Sequence, residues 1–557
     1  MDELQLHVDT VNTLKLEGND LYKKQDFTAA SQKYTEAINA CKDNKTLAIL
    51  HSNRAAVSTK LNDYLHAIID GQTATKADPD YMKGYIRTGT AASAVGMWDV
   101  SLRSWRMALG LITDSDPLLK VMCKAHIDAA EAAQTKRQKE ISRVTYKPGS
   151  RAGQVMPWVR AKRLWEQNRL PLQSSGNVIL RATVAFEAAL TDLKRLNMKG
   201  RMIISAEKKV LEKLTNAVLC DQRVFHVEDG SNFFRNMQQQ IIAEMTGFNG
   251  WPDSTPVELM KQIPKRLRAS DWDTVRPAVA ITIRAWIWRA YMEANMGGAG
   301  TADQFYKWVI DMLEWGLRTY ANVPTEDRGA IFATTFLRAV RNLRLDNLIG
   351  LYGDKGAKCS YTLDDIVELA RDLKSETEAS EGEMPSEGKG FFDAFWTYPL
   401  ASAISVIGWY HMERGHEHVS RAERAKNQDT GLAIFEDAVT EYTQSAQWYI
   451  QAAETYPPDD EYHPYLLAVA LEAYWRGHAP LRITIPLARR VQEATPKAME
   501  IWEATMNSEK SRSQLEQVDQ FLKRCDAEIA KGKWTLDDSF GGGYELRPKT
   551  WKMRQKE

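Results

Sequence analysis

Five polar side chains are spaced as an anion-binding set would need. Lys15 and Asn19 stand four residues apart, as do Lys83 and Arg87, so each pair shares one face if its segment is helical; Asn53 lies between them in HSNRAAV. Three cations and two amides converging on one groove can hold two carboxylates at once, a main-chain terminus and an adjacent acidic side chain. Charge-assisted hydrogen bonds of this kind are roughly twice as strong as neutral ones. Lys83 and Arg87 contribute differently, because a guanidinium holds a carboxylate bidentately whereas an ammonium acts as a mobile point charge.

Two other constellations bear titratable groups. HMERGHEH carries His411, His416 and His418 beside Glu413 and Glu417, but only His411 and His418 share a helix face and Gly415 suggests a helix end, so a polar terminus is expected and no metal. CDQRVFHVEDG carries Asp221, His226, Glu228 and Asp229, which reads as a structural turn before it reads as an acid–base centre. GxSxG, GxGxxG, Walker and HExxH motifs are absent, and Gly541-Gly542-Gly543 lacks the following Lys of a phosphate cradle. No catalytic residue and no cofactor is expected, and the chain reads as not an enzyme.

The scaffold that must position the five residues is legible as a repeat. Gly18, Ala30, Tyr34 and Ala37 recur as Ala55, Ala67, Gly71, Ala74 and Pro79, then as Gly89, Trp105 and Ala108. Ala74 and Ala108 are 34 residues apart, the tetratricopeptide period, while Ala37 and Ala74 are separated by three more, which a longer turn at CKDNKT would absorb. Apolar residues return at three- and four-residue spacing on either side of a turn such as Asn62-Asp63 or Gly96, so each unit is two antiparallel helices. One unit cannot bury its apolar stripe alone; three stacked units need a capping helix, and the segment from Asp116 supplies it, with Pro117 in its first turn.

LKLEGND, HSNRAAV and MKGYIRTG resemble the three clamp segments of the tetratricopeptide-repeat (TPR) carboxylate-clamp co-chaperones, over roughly the first 115 residues. The resemblance implies that Lys15, Asn19, Asn53, Lys83 and Arg87 bind the acidic Glu-Glu-Val-Asp carboxyl terminus of a heat-shock chaperone of the seventy- or ninety-kilodalton class. Tyr22, Leu50 and Gly84 are expected to wall the groove.

The remainder reads as all-α and partly TPR-like. Runs such as VRPAVAITIRAWIWRAYMEA and QFYKWVIDMLEWGLRTYA show helical apolar spacing, with Trp286, Trp288, Trp308 and Trp315 expected between helices. Six segments follow: a TPR clamp with its capping helix (1–134), a basic linker (135–170), a helical domain (171–363), an acidic loop (364–390), a degenerate TPR-like domain (391–506), and a terminal helix and tail (507–557). The linker rests on ten Lys or Arg against two acids from Thr135 to Leu170, with few aromatics interleaved, which favours a solvated connector over a nucleic-acid site. The loop rests on nine acids against two bases from Asp364 to Gly388.

Lys plus Arg equals Asp plus Glu at 73 each, so no whole-molecule field attracts nucleic acid or an anionic membrane. Five scattered cysteines without CxxC spacing suit a reducing compartment, and the charged amino terminus offers no secretory signal. The uncharged stretch Ala394–Tyr410 is too short to span a bilayer and is expected as a buried helix. The chain thus reads as a cytoplasmic adaptor that docks a chaperone tail and engages an unknown client. Two other readings stay open: an enzyme in the carboxyl-terminal region delivered by the clamp, which would show a deep polar pocket, and a helical scaffold for a non-chaperone partner.

Overall fold

The computed structural model describes residues 3–112, 116–143, 155–199, 202–226, 230–252, 254–356, 359–380, 386–425, 427–505 and 508–540. These form two compact units, one of residues 1–145 with 289–308, the other of residues 146–288 with 309–557.

Unit 1 opens with three helix pairs and a cap: α1 (Glu3–Lys23) and α2 (Phe27–Ala40), α3 (Asn44–Lys60) and α4 (Tyr64–Ala77), α5 (Met82–Ala94) and α6 (Trp98–Gly110), then α7 (Pro117–Arg143). Each pair turns through one left-handed residue at the same place, Gln25 at φ 63°, Asn62 at φ 57° and Gly96 at φ 74°. In the first two pairs the next residue, Asp26 or Asp63, caps the second helix by accepting from a backbone N–H three residues on, and Asp43 caps α3 in the same way. The three extra residues of the second period lie in α3 and not in a longer turn. That helix has 17 residues against 13 in α5, while the turn before it is shorter than the one before α5.

The small and aromatic residues of the repeat interlock. A Cβ on Gly18 would lie 2.8 Å from the ring of Tyr34, and one on Gly89 would lie 2.8 Å from the indole of Trp105. Only glycine lets these helices approach so closely, and the reward is burial of both aromatics, Tyr34 to 2% and Trp105 to 1% exposure. Trp105, Ala108 and Cys123 form the core under α7, and Val11, Tyr34, Leu50 and Val57 that of the first repeats. The corner Arg289–Trp308 completes the unit: Gln304 donates to the Asn62 carbonyl at 3.0 Å, Thr301 to that of Val95, and Trp308 packs on His66.

Unit 2 contains α8 (Pro157–Glu166), α9 (Ser175–Leu193), a hairpin of β1 (Asn197–Lys199) and β2 (Met202–Ser205), α10 (Val210–Cys220), α11 (Gly230–Gly247) and α12 (Pro256–Ala269). It continues through most of α13 (Trp272–Asn295) and part of α14 (Ala299–Thr319), then α15 (Thr325–Arg328), α16 (Thr334–Lys355), α17 (Leu363–Ala379) and α18 (Lys389–Phe392). Last come α19 (Tyr398–Ala422), α20 (Gln428–Thr455), α21 (Tyr462–Arg476), α22 (Leu481–Trp502) and α23 (Ser508–Ala530). The protein is therefore all-α apart from one antiparallel hairpin among the described residues.

The apolar stretch from Ala394 enters α19, with Pro399 in its first turn, and packs along α20; Gly415 lies under Tyr442 as Gly18 lies under Tyr34. Among the described residues no helix is long and apolar enough to cross a membrane.

Two segments differ from expectation. Part of the basic connector is α8, whose Ala161 is fully buried and which packs on α9 and α22. Most of the acidic segment is α17, begun by a Thr362/Asp365 capping box and carrying buried Leu363, Ile366, Val367, Ala370 and Leu373. Its charge count concealed a regular apolar stripe. Glu381 to Pro385 lie outside the described residues. From α23 to Phe540 the chain is a packed extension: the Asp538 and Leu536 carbonyls accept from the first amides of α22, and Phe540 is buried against Trp475 and Phe521, while the expected tail beyond it lies outside the described residues.

Candidate functional site

Three first helices of the repeats carry the five polar residues: α1 holds Lys15 and Asn19, α3 holds Asn53, and α5 holds Lys83 and Arg87. Asn53 Nδ2 donates to Asn19 Oδ1 at 3.3 Å, bridging α1 to α3. The Tyr34 hydroxyl donates to the same oxygen at 2.8 Å. Because the carbonyl oxygen of Asn19 is taken twice, its NH₂ group, a pair of donors, is aimed away from Tyr34 and Asn53. Burial pushes the Tyr34 phenol up to about 12, so it stays a donor through the neutral range.

α5 packs directly on α3, and Tyr81 at its start shares a side-chain hydrogen bond with Ser52, the neighbour of Asn53. Burial raises the Tyr81 pKa, while the Ser52 bond and the charge of Arg87 oppose the rise. Lys83 and Arg87 are exposed one turn apart, and neither makes a hydrogen bond or ion pair with any described residue. Lys15 is half-buried and donates to Asn12 Oδ1 at 3.0 Å. The structure thus joins Asn19 to Asn53 by direct contact and sets α5, with its two open cations, against the helix that carries Asn53.

Behind this row lies a buried polar knot. Asp70 on α4 accepts from Arg54 Nε and Nη2 at 2.8 Å each and meets His51 Nδ1 at 2.8 Å, while Arg54 Nη1 reaches Thr35 Oγ1 at 3.0 Å. Burial alone would raise the Asp70 pKa; bonds from Arg54 and His51 outweigh it and hold the carboxyl below its ordinary range. Since His51 and Arg54 flank Asn53 in sequence, the knot fixes α3 at the point where Asn53 leaves it. Neither Tyr34 nor Asp70 was singled out from sequence for this role. The available signals were a tyrosine where phenylalanine would pack equally well, and an acid inside the apolar run LHAIID.

The expected groove walls are partly corrected. Tyr22 is half-buried edge-on to Phe27, but Leu50 is wholly buried in the core and Gly84 is buried where α5 crosses Gly71.

The other constellations dissolve into separate contacts. His411 pairs with Glu441 at 2.7 Å, His416 lies edge-on to Tyr442, and His418 is buried apart from both. Among the described residues no group of three or more His, Cys, Asp or Glu is arranged to hold a metal. His226 stacks on Trp158, and Glu228 and Asp229 lie outside the described residues.

Asp221 belongs instead to a buried ion cluster: Arg223 bonds Asp221 at 2.8 Å, Asp460 at 2.9 Å and Glu461 at 3.3 Å, and lies 3.8 Å over the Trp502 ring. Burial works to lower the Arg223 pKa, but Asp221 and Asp460 together raise it well above the usual arginine value. With 12% of the Arg223 side chain and none of Asp460 exposed, the cluster is an internal crosslink and not an open pocket.

No family model matches the chain. About the first ~100 residues match TPR-containing co-chaperones. The chain is 36% identical over 102 residues to the small glutamine-rich tetratricopeptide repeat-containing protein 2 of Saccharomyces cerevisiae, covering 18% of this chain and 29% of that protein. It is 32% identical over 122 residues to the heat shock protein sti1 homolog of Schizosaccharomyces pombe, covering 22% and 19%. The chain thus spans less than a third of the length of these relatives. Among solved structures, the TPR2B-domain:pHsp70 complex of yeast Sti1 is similar at 27% identity, over 23% of this chain and 98% of that one, with a TM-score of 0.20.

Proposed function

We propose that unit 1 is a carboxylate clamp that captures the free acidic carboxyl terminus of a heat-shock chaperone, of the seventy- or ninety-kilodalton class, and that the helical remainder engages a client or partner, making the chain an adaptor. The observation that carries this reading is the state of the donors: Asn19 has its oxygen occupied and its NH₂ turned away, while Lys83 and Arg87 are exposed with no hydrogen bond or ion pair among the described residues. Such a row offers amide N–H groups and two uncommitted positive charges, which suits two carboxylates. The likeness of the first ~100 residues to TPR co-chaperones supports the same assignment.

In this reading Arg87 grips one carboxylate bidentately, Lys83 and Lys15 add charge, and the two amides select the main-chain terminus by geometry. Calorimetric titration of the full chain with an acidic peptide ending Glu-Glu-Val-Asp, and with its carboxyl-amidated twin, tests it. The free acid should bind at least about tenfold tighter, the worth of one charge-assisted bond, and Lys83→Ala with Arg87→Ala should remove the difference. Equal affinity for both peptides overturns the clamp.

A further inference from the structure

The capping helix carries an apolar stripe on its outer side. Leu118 is 83% exposed, Val121 65% and Met122 37%, and Ala125, Ala129 and Ala132 continue the line; all six are open to water along α7. At 3.6 residues per turn the six fall within an arc of about 100°. Cys123 and Ala130, on the opposite side, are the residues buried beneath it. A helix that ends a repeat array normally shows a polar outer face, so this stripe asks for an occupant.

Two independent features of the sequence along α7 say which. Size runs from large to small, with Leu118, Val121 and Met122 in the first half and alanines at 125, 129, 132 and 133 in the second. Charge along one flank runs from positive to negative: Lys120 and Lys124, then Asp128 and Glu131. Both orders reverse about a point beside Ala125 and His126. A second α7 laid parallel would set large side chains on large and leave the two charged flanks on opposite sides of the seam. Laid antiparallel about that point, it sets Leu118, Val121 and Met122 on the partner's alanines, and Lys124 beside the partner's Asp128.

We infer that this face is an isologous self-association surface, on which a second copy of the chain docks with its α7 antiparallel across a two-fold axis near Ala125. Glu131 pairs with Arg106 at 2.7 Å, which positions that acid at the rim of the surface. Alanine at the axis lets the two helices come close. The face is small, in the class of weak and transient contacts, so association is expected at roughly 10–100 µM.

Sedimentation velocity of the full chain over that concentration range tests the inference. A reversible dimer is expected, abolished in Leu118→Asp with Val121→Asp; both positions are exposed, so the fold should be kept, which a circular-dichroism melt checks. Lys124→Glu should weaken association about tenfold, and adding Asp128→Lys to the same chain should restore it. Oxidation of Ala125→Cys should give a covalent dimer, whereas Leu118→Cys should not, since its symmetry mate lies about 20 Å away at 1.5 Å per residue. A monomer at every concentration, a dimer indifferent to the two aspartates, or equal crosslinking at both cysteines overturns the proposal.

Discussion

Replacing Tyr34 by phenylalanine removes one oxygen atom and tests how the Asn19 amide is aimed. The ring that packs over Gly18 is kept, so the core contact survives. What is lost is the 2.8 Å hydrogen bond to Asn19 Oδ1, leaving the amide held only by the longer 3.3 Å bond from Asn53. A net hydrogen bond is worth about 0.5–1.5 kcal/mol. Stability should therefore fall by about 1 kcal/mol, and the amide becomes free to turn its oxygen toward a bound carboxylate for part of the time. Affinity for the free-acid peptide should fall about two- to twelvefold, with a smaller loss for the amidated peptide, since in the proposed clamp the amide meets the charged terminus. Because burial holds the Tyr34 phenol up at about 12, the effect should be constant between about pH 6 and 9. Calorimetry on the full-length variant beside Asn19→Ala decides the matter. If Tyr34→Phe binds as the parent does while Asn19→Ala does not, the hydroxyl has no part in orienting the clamp.

Two further expectations concern the buried charges. Asp70→Ala strips Arg54 and His51 of their shared acceptor and should cost about 3 kcal/mol, the low end for a broken buried pair because 24% of the Arg54 side chain still meets water. As the native Asp70 pKa is depressed, its contribution is complete above about pH 4 and is lost as acid titrates through the lowered value; the gap between parent and variant in urea midpoints should shrink in acid, and a gap that widens would refute this. Arg223→Met leaves Asp221, Asp460 and Glu461 without their cation and should destabilise unit 2 by about 3–5 kcal/mol at neutral pH. The Glu461 pKa, already raised by burial, would rise further, so the variant should gain stability as pH falls below neutrality; a denaturation midpoint that does not move with pH contradicts the argument.

The repeat was legible because its determinants are local. Gly18 with Tyr34, and Gly89 with Trp105, are contacts between adjacent helices, and the residue types alone record them. The spacing of Lys15, Asn19, Lys83 and Arg87 is legible for the same reason, each pair lying within one turn of one helix. Composition misled where it was used in place of period: α17 is acidic on its wet side and regular on its buried side, and α8 is basic on its surface while Ala161 and Pro157 are buried. The excess in the second period was assigned to a turn because CKDNKT looks like one, yet Asp43 serves as the cap of a helix that begins at once and runs a turn longer. The Arg223 cluster was out of reach, since its partners Asp460 and Glu461 stand more than 230 residues away and no local pattern links them.

Several arginines are consumed inside the fold, whereas Lys83 and Arg87 are not. In unit 2, Arg223 is consumed by three carboxylates, and Arg338, wholly buried, is engaged by Glu376, the Phe395 carbonyl, Ser380 and the face of Trp396. A ligand carboxylate arriving at either would have to displace an internal one while gaining no new solvent release, since the site is already dry. In unit 1, Arg54 is spent in the same structural manner on Asp70, but Lys83 and Arg87, one repeat further along the same row of helices, are left with no acceptor among the described residues. In the proposed clamp a carboxylate docking there displaces water and no internal acid, so even solvent-screened bonds are a net gain. In the proposed clamp the open donors lie on α1, α3 and α5, where Asn19 and Asn53 stand in contact between the cations.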